Sequence, residues 1–366
     1  MTPDSPVFSS APSAASPHPS RYLLVGPSWV GDMVMAQSLV QELKRQDPHC
    51  VVDILAPAWS AALLERMPGV RGIVIMPVGH GRLELGTRLK LSRSLRGKYD
   101  QAIVLPNSFK SALIPFVARI PRRTGYLGEW RFGLLNNIRR LNKSILTMTV
   151  QRFVALGLSR NAVLPPDVSP PKLRVDPCDG QAALAAFGLD LDRPVLALCP
   201  GAEYGPAKRW PAGHFAEVAR AMHAQGWAVW VMGSEKDQDV AVEICSLSSL
   251  AGADCVNLAG RTTLAQVVDL IALASAVVSN DSGLMHVAAA LDRPLVAVYG
   301  SSDPNFTPPL SASSRIVSLG LECSPCFKRH CPLGHLDCLL RISPDVVQRA
   351  LAETTAAERT ETTGIS

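Results

Sequence analysis

Residues 280–286, Asn-Asp-Ser-Gly-Leu-Met-His, carry the reading that decides the fold. The run before them, Ile271-Ala-Leu-Ala-Ser-Ala-Val-Val-Ser279, ends in a short apolar segment suited to a buried strand. The run after them, Val287-Ala-Ala-Ala-Leu291, reads as the first turns of an apolar helix. Asn280, Asp281, Ser282 and Gly283 therefore fall at a helix N-terminus, where unpaired backbone N–H groups and the helix dipole favour an anion. An Asp-Ser-Gly turn also suits Asp281 as a simple N-cap. A second loop of the same kind, and the repetition of strands and helices around both, favour the ligand.

Working outward, the alternation covers most of the chain. Tyr22-Leu-Leu-Val25 is a short apolar strand, and a helical pattern runs from Met33 to about Arg45. Strands follow at 51–55, 72–76 and 101–105, with helices at 59–65 and 88–95. The stretch Leu164–Pro177 holds five prolines and few apolar residues, which marks a linker over 164–180. Then the alternation restarts: strands at 195–199, 228–232, 276–279 and 295–299, helices at 212–224 and 239–247. Strands alternating with helices imply parallel sheets covered on both faces. The expected fold class is α/β, with two Rossmann-like doubly wound domains over 21–163 and 181–352 facing a central cleft. An N-terminal extension over 1–20 reads as disordered and residues 353–366 as a polar tail. Ligands of such folds bind where strand C-terminal ends and helix N-termini converge.

Three loops are placed to carry chemistry. Gly26-Pro-Ser-Trp-Val-Gly-Asp32 follows the first strand and lacks both the dinucleotide fingerprint and the Walker lysine. Its Asp32 stands at the start of a helix, either as a cap or as a general base at the cleft edge. Cys199-Pro-Gly-Ala-Glu-Tyr-Gly-Pro-Ala-Lys-Arg-Trp210 follows the first strand of the second half. There Gly201 and Gly205 free the backbone, and Lys208 supplies a charge for a phosphate. After the strand ending at Gly233, Glu235 and Asp237 can accept hydrogen bonds from a ribose.

The chain has 366 residues, 47% hydrophobic and 18% charged, enough for two domains with their own cores. No apolar run is long enough to span a membrane, and the start has no signal-peptide pattern, so a cytoplasmic location is expected. The net charge of +5 hides an asymmetry: residues 21–165 hold 21 Lys/Arg against 8 Asp/Glu, the rest 15 against 23. Between Lys110 and Lys143 a single acid, Glu129, interrupts eight cations. That stretch suits phosphates or an anionic membrane surface, with Lys110, Arg122 and Arg123 as candidate contacts. No helix-turn-helix, OB or RRM pattern appears and interleaved aromatics are few, so nucleic acid is not an expected partner. Among nine cysteines, Cys323, Cys326, Cys331 and Cys338 cluster with His330 and His335. Their spacing matches no standard finger or ribbon, so packed reduced thiols are favoured over a structural zinc.

A series of segments in order then resembles glycosyltransferase family 9: GPSWVGDMVMAQSL, MPVGHGRLELGTR, YDQAIVLPNSFKSALIPF, IPRRTGYLGEWRFGLLN, CPGAEYGPAKRWP and NDSGLMHVAAALDRPLVAVYG. The resemblance runs from about Tyr22 to Pro309 and implies the GT-B fold. It implies inverting transfer of L-glycero-D-manno-heptose from ADP-heptose to the first heptose of the lipopolysaccharide inner core. The acceptor would be a phosphorylated heptosyl-Kdo2-lipid A at the anionic inner face of the cytoplasmic membrane, with the enzyme peripherally bound there. A less substituted core acceptor is the alternative, and a non-enzymatic anionic-surface module the remote one. The family's GD aspartate falls on Asp32 as base. Its donor motif falls on Asp281, Ser282, Gly283 and His286, with Lys208 and Glu235 also on the donor side. Gly201 and Ala202 stand at donor-loop positions where related transferases carry hydroxyl residues. No cofactor and no catalytic metal are expected. Members differ in whether they carry the cysteine segment, which points to a structural role for it.

Overall fold

The computed structural model describes residues 18–77 and 84–363. The extension expected over 1–20 lies almost wholly outside the described residues, as do 78–83 of the MPVGHGRLELGTR segment and 364–366 of the tail. The first sheet contains β1 (Arg21–Val25), β2 (Val51–Pro57), β3 (Gly72–Met76), β4 (Gln101–Val104), β5 (Arg122–Tyr126) and β6 (Asn137–Arg139), in the order β3-β2-β1-β4-β5-β6. Around it lie α1 (Val30–Gln46), α2 (Ala61–Leu64), α3 (Leu85–Ser94), α4 (Phe109–Val117) and α5 (Thr149–Gly157). The second sheet contains β7 (Val195–Cys199), β8 (Ala228–Val231), β9 (Cys255–Asn257), β10 (Ala276–Asn280), β11 (Leu295–Val298) and β12 (Ser314–Val317). Its order is β12-β11-β10-β7-β8-β9. Helices α6 (Pro177–Phe187), α7 (Ala212–His223), α8 (Gln238–Ser248), α9 (Leu264–Leu273), α10 (Gly283–Ala290), α11 (Asp337–Leu340) and α12 (Pro344–Thr363) accompany this half.

Every strand pairing is parallel. Read from its own first strand, each sheet has the same doubly wound order, reversing direction between β1 and β4 and between β7 and β10. Those reversals open the crevices where such folds take ligands. The central strands explain why this arrangement forms: β7, β8, β10 and β11 are buried at every residue, as helices on both faces require. GPSWVGD leaves the end of β1, CPGAEYGPAK the end of β7 and NDSG the end of β10. Topology alone thus brings all three loops to crevice mouths.

The halves are tied together. Residues 158–176 lie outside strands and helices, and the linker ends earlier than expected, because Pro177 opens α6 with Asp176 as its cap at 2.8 Å from the Cys178 N–H. Nor does the linker run free. Ser38 Oγ donates to the Ser169 carbonyl at 2.6 Å, Gln37 Oε1 accepts from the Lys172 N–H at 3.0 Å, and the Leu173 N–H donates to Ala290 at 3.0 Å. Arg66, beyond α2, makes a bidentate pair with Asp269 of α9, the closest contact 2.7 Å. The polar residues from 353 continue α12 to Thr363, a helix anchored by fully buried Val347 and Leu351 one turn apart. No helix among the described residues is long and apolar enough to cross a membrane.

Candidate active site

The floor of the cleft is made where the N-termini of α1 and α10 meet. A Cβ added at Gly31 would lie 2.5 Å from His286 Cδ2, and one at Gly283 would lie 2.7 Å from Val30 Cβ. Side chains at these positions would hold the two helices apart, which is why glycine stands at both. Neither helix has a side-chain cap: Trp29 and Ser282 occupy the cap positions without capping bonds. The N–H groups of Ser282 and Gly283 donate to no described residue. Both line the cleft, offering an anion site at the start of α10.

Asp32 is the third residue of α1 and also lines the cleft, so it is not a cap. Burial pushes its carboxyl up to about 6, Lys208 opposing the rise and Asp281 adding to it. It makes no hydrogen bond with any described residue, leaving the carboxylate directed to whatever fills the cleft.

Asp281, Lys208 and His286 form a layer behind the cleft wall instead of the wall itself. Asp281 Oδ2 accepts from Lys208 Nζ and from Ser302 Oγ, each at 2.5 Å. The sequence expectation of Lys208 as a bare phosphate ligand is corrected to a cation already paired with a buried carboxylate. The N-cap alternative for Asp281 likewise fails, since the cap position is Ser282. His286 is buried, and that burial drives its imidazole down to about 4, so it is neutral at pH 7 and supports the floor as a packed ring. Asn280 locks the neighbouring loop, donating to the Pro200 carbonyl at 2.6 Å and accepting from the Trp210 N–H at 3.0 Å.

Gly201, Ala202 and Glu235 all reach the cleft. Gly201 has a packing reason as well, since a Cβ there would lie 2.5 Å from Asp237 Oδ2. Asp237, a ribose candidate from sequence, is used internally: its carboxylate accepts from the Ser234 N–H at 3.0 Å and Oγ at 2.7 Å. Exposed Glu235 is the freer acid.

The opposite wall comes from the first half, and here the basic stretch divides. Lys110 lines the cleft. Arg122 and Arg123 do not: they begin β5, whose other end, Tyr126, reaches the cleft, roughly 13 Å along the strand. Arg123 is spent on the carbonyls of Leu134 (2.6 Å) and Ile120 (2.7 Å) and stacks over Phe116. Arg131 is fully buried. Arg88 and Arg152 line the cleft in their place, and neither was singled out by sequence. Arg88 reaches it from α3 with its guanidinium near the Lys110 carbonyl, and Arg152 from α5, where it stacks 4.6 Å over Phe306 of the second half. The cleft holds about 1900 Å³, more than one small ligand fills.

Cys323, Cys326, Cys331 and Cys338 surround one small cavity with His335. Among the described residues no group of three or more His, Cys, Asp or Glu is placed to hold a metal. Nearby backbone N–H groups, that of Leu336 foremost, hold the Cys331 thiol below its ordinary pKa.

Two doubly wound domains opposed across a cleft are the GT-B architecture of glycosyltransferases. The model of glycosyltransferase family 9 (heptosyltransferase) matches residues 88–337. The lipopolysaccharide heptosyltransferase 2 of Salmonella typhimurium is 49% identical over 91% of this chain and 97% of that protein. The lipooligosaccharide heptosyltransferase 2 of Haemophilus influenzae is 51% identical over 81% of this chain and 88% of its own. The structure of E. coli ADP-heptose LPS heptosyltransferase II superposes with a TM-score of 0.83 at 44% identity, covering 93% of this chain and 99% of that one. The chain belongs to glycosyltransferase family 9.

Proposed function

We propose that this chain transfers L-glycero-D-manno-heptose from ADP-heptose to the first heptose of the lipopolysaccharide inner core, inverting the anomeric centre. The observation that carries the chemistry is Asp32, ionisable near neutrality and free of hydrogen bonds, across the cleft floor from the uncapped start of α10. The acceptor hydroxyl oxygen attacks the anomeric carbon from the first-half side. Asp32 takes the hydroxyl proton as that bond forms, and the bond to the ADP oxygen breaks on the opposite face. Direct displacement from one side inverts the centre and needs one base. Negative charge accumulates on the departing diphosphate, where the Ser282 and Gly283 N–H groups and the α10 dipole stabilise it. Lys208 acts at one remove: paired with Asp281, it keeps the field behind these N–H groups close to neutral and moderates the Asp32 pKa.

Glu235, beside the donor wall, is placed for the ribose, while Lys110, Arg88 and Arg152 give the acceptor wall its positive charge for a phosphorylated core. The lipid anchor of such an acceptor brings the reaction to the anionic inner face of the cytoplasmic membrane, with the enzyme peripherally bound. The test is ADP release from ADP-heptose with mono-heptosylated lipid A core, for the native chain and Asp32→Ala. Acceptor-dependent release that collapses in the variant supports the reading. Full activity in a folded variant removes Asp32 as the base.

A further inference from the structure

We propose that the loop of residues 127–133, Leu-Gly-Glu-Trp-Arg-Phe-Gly, seats in the headgroup boundary of an anionic bilayer with Trp130 and Phe132 as its apolar anchors. The loop leaves β5 at the mouth of the cleft. Within it, Arg131 is 1% exposed and turned inward, donating to the Pro106 carbonyl at 2.7 Å, to Asn107 Oδ1 at 3.1 Å and to the Tyr126 carbonyl. Pinning residue 131 inward drives its neighbours out: Trp130 is 86% exposed and Phe132 64%. Trp130 is held at φ +34°, a left-handed conformation uncommon for a bulky residue. Two large aromatics fixed outward on a pinned loop are not ordinary surface, since such side chains are normally at least half buried.

The surroundings select the partner. The Leu127 N–H bonds the Arg139 carbonyl at 2.8 Å, so the loop runs beside the end of β6, from which exposed Arg140 and Lys143 follow. The acid of the loop, Glu129, is engaged in accepting the Phe109 N–H at 2.9 Å. Aromatic anchors flanked by cations match an anionic lipid surface, where apolar insertion and electrostatic attraction add. Glu129 lines the cleft, so a membrane meeting this loop also meets the acceptor wall.

The inference rests on the lipid-anchored acceptor of the proposed function, and the test separates the two. Sedimentation with phosphatidylethanolamine–phosphatidylglycerol vesicles is compared for the full native chain and Trp130→Ser/Phe132→Ser. Activity is measured on the acceptor embedded in vesicles and on the same acceptor deacylated in solution. The double variant is expected to bind vesicles about a hundredfold more weakly, about tenfold per anchor. It should keep native kcat/KM on the deacylated acceptor within about twofold, which also shows that it is folded. Arg140→Ser/Lys143→Ser should weaken binding to anionic vesicles and leave binding to neutral phosphatidylcholine unchanged. Undiminished vesicle binding by the aromatic variant overturns the proposal. So does an equal loss on both acceptors, which would place the loop in acceptor recognition. A native dimer that the variant dissolves would assign the loop to a second copy of the chain. A native chain inactive on both acceptors would overturn the transferase reading, and the vesicle comparison would still decide the loop.

Discussion

Asp32→Asn should stabilise the protein while removing its activity, and both effects follow from one buried carboxylate. In the folded chain the Asp32 pKa rises from 3.8 to about 6, with burial the largest cause. Because the folded pKa lies above the unfolded one, the ionised group opposes folding. That penalty is complete above pH 6, shrinks between pH 6 and 3.8, and vanishes below 3.8, where both states hold the proton. At about 1.4 kcal/mol per pH unit, the rise corresponds to about 3 kcal/mol. Asparagine has nearly the same shape and no charge. Urea unfolding at pH 8 should therefore show Asp32→Asn more stable than native by up to about 3 kcal/mol, and the gap should close near pH 4. Acceptor-dependent ADP release should fall by about 10²–10⁴, the usual contribution of a positioned base. A variant no more stable than native at pH 8 would refute the burial argument. A variant that keeps its activity would refute the base.

Further outcomes follow from the layer behind the cleft. Lys208→Met should raise the Asp32 pKa and move the acid limb of kcat/KM to higher pH, whereas Asp281→Asn should move it lower; identical pH–rate profiles would disconnect this pair from Asp32. Gly31→Ala sets a methyl against His286, so a stability loss of about 1–3 kcal/mol with a drop in kcat is expected by thermal unfolding and steady-state kinetics. Arg66→Ala leaves Asp269 buried without its partner and should cost about 3–5 kcal/mol in urea, most of it recovered by Asp269→Asn in the same chain.

Much of this architecture is legible in the sequence because it depends on local pattern. Apolar runs such as Val195–Cys199 and Ala276–Val278 read as buried strands, and a Gly-containing polar turn after each marks the crevice mouths. The direction of the chain then places Asp32, Gly201 and Ser282 in one cleft with no contact information. Position along a strand is harder to read. Arg122 and Arg123 belong to a basic stretch that does approach the cleft, yet they lie four and three positions along β5 from Tyr126 at its open end. Arg88, Arg152 and Ser302 carried no local signal, since what brings them to the site is the packing of α3, α5 and the loop after β11. The choice between Glu235 and Asp237 is local: the Ser234 turn captures the Asp237 carboxylate three residues on and leaves Glu235 the freer acid. The start of α12 is legible, with Val347, Leu351 and Thr354 as a buried stripe at helical spacing, whereas the polar residues that follow carry no such stripe to mark its continuation.

The central claim, heptosyl transfer to a core that already carries its first heptose, is tested most directly by acceptor choice. ADP release from ADP-heptose is measured with mono-heptosylated Kdo2-lipid A, with Kdo2-lipid A lacking heptose, and without acceptor. Release with the heptosylated acceptor alone is the predicted result. Equal or faster release with the acceptor that lacks heptose would contradict the claim and move the chain one step earlier in the core.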